Sequence, residues 1–362
     1  MAGDDDRLRM TPGPTAVPPE VRDAMARPAQ NPDVEPEFTE YYRTLLEKLS
    51  TVYGTDDDIV ILGGEGMVGL EAAVASLLEP GETALCLANG SFGDGFADLV
   101  EMHGAIPVRQ EAPPDAGFDA ETTKEHLEEH DVAVATMVHC ETPTGALNGL
   151  KSVLEVLDDA GVLTIVDAVS SLGGAPVPTE TTDVVLSASQ KCLSSPPGLA
   201  TLSVSDAAWA KVEATDQDTF YTNLLPWHDI GLDDEGPPRM PYTHLISNLY
   251  ALEASLDRLL EEGIDRAHRR HERVARQCRE RGAELGLEPF QPPHRRSPTV
   301  TAFEVDGRAG ALQRRLLERD VLVATSLGKF ADDLLRIGHM GYNADPERVG
   351  QTMDALEAVL EA

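Results

Sequence analysis

The chain has 362 residues, of which 41% are hydrophobic, and its 63 acidic against 29 basic residues give a net charge of −34. Such a surplus of negative charge repels phosphate backbones, which excludes a nucleic-acid-binding protein. The length and the apolar content exclude a disordered chain and predict more than one domain.

The acidic residues are spread along the whole chain. A compact protein of this charge repels itself unless concentrated salt screens it, so the composition is typical of halophilic proteins. The N-terminal "MAGDDDRLRMTPGP" has no apolar signal segment, and no apolar run reaches the roughly 18 residues that span a membrane. We therefore expect a cytoplasmic protein without a membrane partner.

Short apolar runs alternate with helical patterns from residue 58 onward. The patterns predict strands at 58–62, 83–88, 132–139, 162–168, 183–189 and 199–205, and helices at 66–79, near 92–103 and near 149–160. Near-continuous Val, Ile, Leu and Ala runs between helices are typical of a mostly parallel sheet that is covered on both faces. Ligands of such sheets bind at the carboxyl ends of the strands.

The pattern changes after residue 205. A segment rich in Gly, Pro and Asp at 225–242 precedes long helical patterns at roughly 245–262 and 264–285. Strands are then predicted at 299–305, 321–325 and 333–339, and helices near 308–318 and 346–361. This half predicts a smaller α+β domain.

The glycines of "DIVILGGEGMVGLEAA" (58–73) have the G-x-G-x-x-G spacing of a dinucleotide-binding turn. That function needs an acidic residue at the end of the next strand, where this chain has Asn89. A nucleotide-binding α/β protein without catalysis is therefore the weaker alternative. A glycine-rich turn at the start of a helix still offers N–H groups to a phosphate.

Asp167 lies at the end of the strand predicted at 162–168, and Lys191 follows the strand predicted at 183–189. An isolated Asp at such a place is often a loop or capping residue. Together with a phosphate-accepting turn upstream, the two residues match the needs of pyridoxal phosphate: the lysine forms a Schiff base with the aldehyde, and the carboxylate keeps the pyridine nitrogen protonated. The four cysteines are far apart and form no C-x-x-C pair, so we predict neither a metal site nor a disulfide framework.

Seven segments, in order along nearly the whole chain, resemble the class V, or fold-type I, pyridoxal-phosphate aminotransferases of the alanine–glyoxylate and serine–glyoxylate (serine–pyruvate) branch. They are "TPGPTAVPPEV" (11–21), "GGEGMVGLEAA" (63–73), "ANGSFGDGF" (88–96), "HCETPTGALN" (139–148), "IVDAVSSLGG" (165–174), "SASQKCLSSPPGLA" (187–200) and "LLRIGHMGYN" (334–343). The resemblance implies an N-terminal segment (1–20) that reaches the active site, a large domain (21–245) around a mostly parallel seven-stranded sheet, and a small C-terminal α+β domain (246–362).

The resemblance also implies roles for individual residues. Lys191 would be the Schiff-base lysine and proton carrier, and Asp167 the partner of the pyridine nitrogen. The other cofactor-binding residues would be Gly66, Met67, Phe92, Thr142, Val169 and Gln190, with Thr243 donated by the neighbouring subunit of a homodimer with shared active sites. From its residue type alone, Phe92 is better explained by a core contact.

Arg336 and Gly13 complete the predicted site. The planar guanidinium of Arg336 suits bidentate binding of a substrate carboxylate, which the backbone near Gly13 would also contact. A salt bridge is the alternative explanation of Arg336 in so acidic a protein. The chain departs from the family at Glu65 and Met67, where the family has Ser and a small or polar residue, and a carboxylate there repels a phosphate.

The implied function is a ping-pong transfer of an amino group from alanine or serine to glyoxylate or pyruvate. Relatives that use aspartate or phosphoserine stay open, because the substrate-side segment "QNPDVEPEF" (30–38) also departs from the family. A lyase or cysteine desulfurase is a further alternative. A desulfurase needs a reactive cysteine on a mobile loop, whereas Cys278 falls in a predicted helix.

Overall fold

The structure is a computed structural model that describes residues 7–234 and 236–361. The structure does not describe residues 1–6, 235 and 362. These residues belong to the predicted ranges 1–20, 21–245 and 246–362, respectively. The strands are β1 Leu8–Arg9, β2 Asp58–Gly63, β3 Thr83–Ala88, β4 Ile106–Glu111, β5 Val132–Val138, β6 Cys140–Glu141, β7 Ala146–Leu147, β8 Leu163–Asp167, β9 Val184–Ala188, β10 Leu199–Val204, β11 Val300–Glu304, β12 Val321–Leu322, β13 Ala324–Thr325 and β14 Leu334–Gly338. The α-helices are α1 Pro19–Ala24, α2 Glu37–Tyr53, α3 Gly66–Leu77, α4 Ser91–Met102, α5 Ala120–Glu129, α6 Lys151–Asp159, α7 Asp206–Ala214, α8 Leu225–His228, α9 Ile246–Glu262, α10 Ile264–Glu284, α11 Ala309–Leu317 and α12 Pro346–Leu360.

The largest sheet has seven strands in the order β2-β10-β9-β8-β5-β3-β4. β10 runs antiparallel to both of its neighbours, and the other pairs are parallel. All five residues of β9 and all six of β10 are buried, as expected of strands covered on both faces. The predicted mostly parallel seven-stranded α/β sheet is confirmed.

Helices cover this sheet and bury one large apolar cluster. α3 packs on β9 and β10, and α4 packs on β3 and β4. Leu70 and Val74 of α3, Phe96 of α4 and Leu186 of β9 all belong to this cluster. α9 packs on α1 and α2 and adds buried leucines to the same cluster. The predicted boundary between residues 245 and 246 stays a prediction.

A second apolar cluster lies around the three-stranded antiparallel sheet β11-β14-β13. α10 and α12 pack together, and α11 packs on α12 and on β14. Phe303, Leu335, Leu356 and the N-terminal Met10 are each fully buried in this cluster. The predicted α+β character of the C-terminal half is confirmed, but the predicted strand at 321–325 is divided into β12 and β13.

The N-terminal segment crosses from one half of the chain to the other. β1 pairs in parallel with β12, and the carbonyl of Met10 accepts a hydrogen bond from the N–H of Gly338 at 2.7 Å. Further along, the N–H of Thr15 donates to the carbonyl of Gln190 at 3.0 Å. Among the described residues, no helix is both long and apolar enough to cross a membrane.

Candidate active site

A cavity of about 340 Å³ lies at the edge of the large sheet where the parallel strands end. The segments that follow β2, β3, β6, β8 and β9 all contribute to it, as expected for a ligand site of this sheet type. Its volume is within the range of small-molecule pockets. The lining residues are Gly13, Pro14, Glu65, Gly66, Met67, Leu70, Phe92, Thr142, Asp167, Val169, Ser170, Gln190, Lys191 and Pro197.

Asp167 is the last residue of β8 and is only 5% exposed. Its Oδ1 accepts the N–H of Val169 at 2.7 Å, and its Oδ2 has no hydrogen bond from the part of the chain that the structure describes. Burial raises the pKa of Asp167 to about 6, against the opposing effects of the Val169 N–H and the Lys191 charge. A buried carboxylate with one free oxygen is suited to bind a cationic N–H donor.

Lys191 lies in a turn after β9, and its Nζ donates to the carbonyl of Pro12 at 2.7 Å. Burial and the Arg336 charge lower the pKa of Lys191, and the nearby Asp167 carboxylate only partly offsets them. Gly13 passes so close that a Cβ built on it would lie 2.5 Å from Nζ, so only glycine fits there. A lowered pKa favours the neutral form of the amine, which is the form that acts as a nucleophile or a base.

Phe92 lies in the first turn of α4, and Glu141 fixes this turn. The carboxylate of Glu141 accepts the N–H of Phe92 at 3.1 Å and that of Gly93 at 2.8 Å. Glu141 is fully buried, and burial raises its pKa to about 8, with the Asp167 charge adding to the rise. Sequence reasoning did not assign a role to Glu141, although it lies in the segment "HCETPTGALN".

Thr142 and Val169 lie beside Asp167. The hydroxyl of Thr142 is hydrogen-bonded to that of Ser170, a lining residue that the sequence did not single out. We call Phe92, Thr142, Asp167, Val169 and Lys191 the ring end of the cavity. These side chains combine an aromatic face, a branched apolar face, a hydroxyl, a carboxylate and an amine around one space.

Another part of the cavity lining is formed by Glu65, Gly66, Met67 and Gln190, which we call the α3 end. Glu65 is the N-cap of α3: its Oε1 accepts the N–H of Met67 at 3.2 Å. Its Oε2 accepts the side-chain amide of Gln190 at 3.4 Å. The other amide atom, Oε1 of Gln190, is buried and has no hydrogen-bond partner among the residues that the structure describes.

Arg336 lies in β14, and its guanidinium donates from Nε to the carbonyl of Thr325 at 2.8 Å and from NH1 to that of Thr142 at 3.4 Å. It is 8% exposed, and burial lowers its pKa to about 10. Within residues 7–234 and 236–361 it pairs with no carboxylate, which argues against the salt-bridge explanation. A buried guanidinium without an anion is costly, so this position is suited to an anionic ligand.

The structure brings most of the predicted site residues together. Gly13, Gly66, Met67, Phe92, Thr142, Asp167, Val169, Gln190 and Lys191 all line the one cavity. Arg336 does not line it but reaches the backbone of Thr142, which does. Thr243 is exposed and is not part of the cavity of its own chain. The roles of these residues stay predictions.

The cysteines are free and buried. Cys278 lies inside α10, where burial raises the pKa of its thiol, so it lacks the exposed thiolate of a desulfurase nucleophile. Cys192 follows Lys191 but donates to the carbonyl of Ser170 at 3.6 Å. Among the described residues, no group of three or more His, Cys, Asp and Glu side chains is placed to hold a metal ion.

The cavity fits part of the predicted cofactor. The ring end presents a free carboxylate oxygen for a pyridine nitrogen, flanking faces for a flat ring and an amine for an aldehyde. At the α3 end, however, the Glu65 carboxylate accepts the N–H of Met67 and the side-chain amide of Gln190, and its charge repels a phosphate. The residues therefore fit the ring and do not fit the phosphate in this arrangement.

Comparison with known proteins finds relatives that match nearly the whole chain. A family model described as "Aminotransferase class-V" matches residues 11–335. An uncharacterized aminotransferase of Methanocaldococcus jannaschii is 35% identical over 98% of this chain and 93% of its own length. A pyridoxamine–pyruvate transaminase of Mesorhizobium japonicum is 30% identical over 99% of this chain and 92% of its own. The crystal structure of an alanine–glyoxylate aminotransferase from Nostoc sp. matches with a TM-score of 0.93 and 31% identity, over 98% of this chain and 95% of that one.

Proposed function

This chain belongs to the class V aminotransferases, and we propose that it moves an amino group from alanine or serine to glyoxylate or pyruvate. It is a transaminase, an enzyme that transfers an amino group between an amino acid and a 2-oxo acid. The observation that supports the proposed roles of the residues is the position of the Lys191 amine. Its amine lies in one cavity with the Asp167 carboxylate and is close enough to Arg336 for both charges to shift its pKa.

Asp167, Phe92, Val169 and Thr142 would hold a pyridine ring at the ring end. The class V family obtains this ring from pyridoxal 5′-phosphate, and we propose that the same ring binds here. When bound, the protonated ring withdraws electrons from the substrate carbon that loses its proton. Asp167 would keep the ring nitrogen protonated, Phe92 and Val169 would cover the two faces, and the Thr142 hydroxyl would donate to the phenolic oxygen.

Lys191 would accept the proton from the α-carbon of the amino acid at its Nζ and would later return it. This role needs a neutral amine, and the lowered pKa raises the neutral fraction near pH 7. The carbonyl of Pro12, which holds Nζ at 2.7 Å, orients the amine within the cavity. Positioning of this kind lowers the entropy cost of the proton transfer.

Arg336 would bind the α-carboxylate of both substrates through its planar fork. The carbonyls of Thr325 and Thr142 fix the guanidinium, and burial strengthens its attraction to an anion. The backbone at Gly13, packed against Lys191, would contact the same carboxylate. The amino acid and the 2-oxo acid share this carboxylate, so one arginine serves both halves of the reaction.

Three further properties belong to the proposal. The exposed position of Thr243 suits its donation to the cavity of a second subunit, as in a homodimer with shared active sites. The net charge of −34 suits a cytoplasm with concentrated salt, and it predicts a higher unfolding midpoint in about 2 M than in about 0.1 M KCl. The ranges 1–20, 21–245 and 246–362 remain the proposed division of the chain.

A Lys191→Ala variant tests the proposed function. With pyridoxal 5′-phosphate and pyridoxal each supplied in molar KCl, the loss of Nζ should lower transfer from alanine or serine to glyoxylate or pyruvate by at least about 100-fold. Lys151→Ala removes an exposed lysine of α6 and is the matched control. Full activity of Lys191→Ala with either ring would refute the proposal.

The relative named pyridoxamine–pyruvate transaminase suggests a second candidate function. In it, pyridoxamine would be the amino donor and pyruvate the acceptor. The observation that favours it here is the Glu65 carboxylate at the α3 end, where a phosphate would otherwise bind. The same ring end would serve both functions, so the two candidates differ in the amino donor and in the group that the α3 end accepts.

A further inference from the structure

The α3 end of the cavity contains an anion supplied by the chain itself. Helix N-termini bind anions because their first N–H groups are unpaired and their dipole is positive there. In this chain the carboxylate of Glu65 takes that place, accepting the N–H of Met67 at 3.2 Å. A second anion at this helix end would lose that donor and would meet a negative charge at short range.

The hydrogen bonds of the Gln190 side chain also disfavour an anion at the α3 end. Its side-chain NH₂ donates to Glu65 at 3.4 Å, which fixes the orientation of the amide. Its Oε1 is therefore an acceptor, and it is buried without a partner in the described part of the chain. Since a buried acceptor without a donor is costly, this position calls for a ligand that donates a hydrogen bond.

The charges around the cavity also disfavour a phosphate. Apart from Lys191, no lysine or arginine of residues 7–234 and 236–361 lines the cavity. The Glu65 charge also reaches the ring end, where it acts to raise the pKa of Asp167. A phosphate dianion would thus find two carboxylates and an unpaired acceptor. A hydroxyl group, by contrast, is a donor that either Glu65 or Gln190 can accept.

We propose that Glu65 and Gln190 select a pyridine ring that carries a neutral hydroxymethyl group and exclude its phosphate ester. This inference rests on the proposed function, because it assumes that the ring end binds the ring. A site built around a hydroxyl donor discriminates strongly against analogues that lack one, and an unpaired charge adds discrimination against the wrong ligand. Glu65 and Gln190 are therefore specificity-determining residues.

Without a phosphate anchor, the ring is a diffusible substrate that leaves after transfer. The aminomethyl carbon of the ring compound loses its amino group, one proton and two electrons and becomes an aldehyde, whose oxygen comes from water. The 2-oxo carbon of the acceptor gains the amino group, the two electrons and a proton, and its oxygen leaves as water, so one water is released and one is consumed. The products are one aldehyde and one amino acid, so the reaction needs no further oxidant or reductant.

Binding of two ring compounds tests the inference directly. Pyridoxal and pyridoxal 5′-phosphate are titrated separately into the full-length protein in molar KCl, and ring absorbance and the unfolding midpoint are followed. We expect pyridoxal to bind at least about tenfold more tightly, the effect of roughly 1.4 kcal/mol. Glu65→Ser should reverse this preference. Glu65→Gln, which replaces the carboxylate by a neutral amide of similar size, should reduce it.

The matched control is Glu71→Ser, which removes a carboxylate from the same helix without touching the cavity. Its ring preference should equal that of the wild type. Equal or tighter binding of the phosphate ester by the wild type, or an unchanged ratio in both Glu65 variants, would overturn the inference and leave the transaminase intact. If neither ring compound binds the wild type, the proposed function itself fails. The wild-type ratio decides the question even if a variant does not fold.

Discussion

The two ends of the cavity are built in different ways. At the ring end, the polar side chains of Thr142 and Asp167 are 2% and 5% exposed, and Glu141 behind Phe92 is fully buried. The α3 end is made at the start of a helix by the exposed side chains of Glu65 and Met67. The buried side chains of the ring end are suited to one reaction, whereas a substitution of one exposed side chain at the helix N-cap can change which ligand group binds there.

The largest effect is expected from Asp167→Asn, which removes the charge of the ring end. An amide cannot stabilise a protonated ring nitrogen, so the turnover number for transfer from alanine to glyoxylate should fall by about 10²- to 10⁴-fold. Steady-state rates measure this loss. Asp98→Asn, on the exposed face of α4, is the control and should keep its rate. A small loss in Asp167→Asn would mean that the ring end does not carry the chemistry.

A smaller effect should follow from Arg336→Lys, because lysine cannot form the bidentate contact with a carboxylate. The KM values for amino acid and 2-oxo acid should both rise by about 10- to 100-fold, since a charge-assisted hydrogen bond contributes about 1.5–3 kcal/mol. The affinity for the ring compound should not change, because Arg336 binds the substrate carboxylate and belongs to neither end of the cavity. Arg308→Lys, which removes a guanidinium bound to the carbonyl of Val305, is the control. Unchanged KM values would place the carboxylate elsewhere.

Glu141→Gln should change the dependence of stability on pH. The pKa of Glu141 is raised by burial from an ordinary value of 4.5 to about 8, so the folded protein holds a proton that the unfolded chain releases. Stability should therefore fall as the pH rises from about 4.5 to about 8, by up to about 1.4 kcal/mol per pH unit. Glutamine can still accept the two N–H bonds without titrating. Unfolding midpoints between those pH values should fall less in Glu141→Gln, and equal slopes would show that Glu141 is already ionised.

The smallest effect is expected from Phe92→Leu, which removes an aromatic face from the ring end and keeps an apolar side chain. Stacking contributes about 0.5–1.5 kcal/mol beyond burial, so ring affinity should fall by about two- to tenfold. Pyridoxal and its phosphate should lose affinity equally, in contrast to the Glu65 variants, which should change only their ratio. Titrations of both compounds with both variants provide the comparison. A change of ratio in Phe92→Leu would show that the two ends do not act independently.

Sequence patterns predicted most of the large sheet, because its inner strands are continuous apolar runs. The edge strand β4 was not predicted, since "IPVRQE" is largely exposed and lacks such a run. The helix α2 was not predicted either, although the spacing of Phe38, Tyr42, Leu45 and Leu49 carries a helical signal.

The sequence allowed us to predict which side chains form the site, but not which atoms they contact. Asp167 and Lys191 were identified from their places at or just beyond strand ends, and the repulsion between Glu65 and a phosphate follows from charge alone. The hydrogen bonds of Glu65 to Met67 and Gln190 depend on side-chain rotamers that no spacing encodes. Likewise, Pro12 is far from Lys191 in sequence, so only the folded chain reveals its carbonyl as the partner of Nζ.

The path of the N-terminal segment also matters for how the protein is made. Leu8 pairs with Val321, Met10 with Gly338 and Pro12 with Lys191. Leu8 and Met10 are synthesised first, whereas Val321 and Gly338 are synthesised near the end, so these two contacts have a very large sequence separation and form late. A nascent chain that stops before β14 can complete the large sheet, yet it leaves the N-terminal segment without its partners. The enzyme therefore becomes active only when almost all of it has been synthesised.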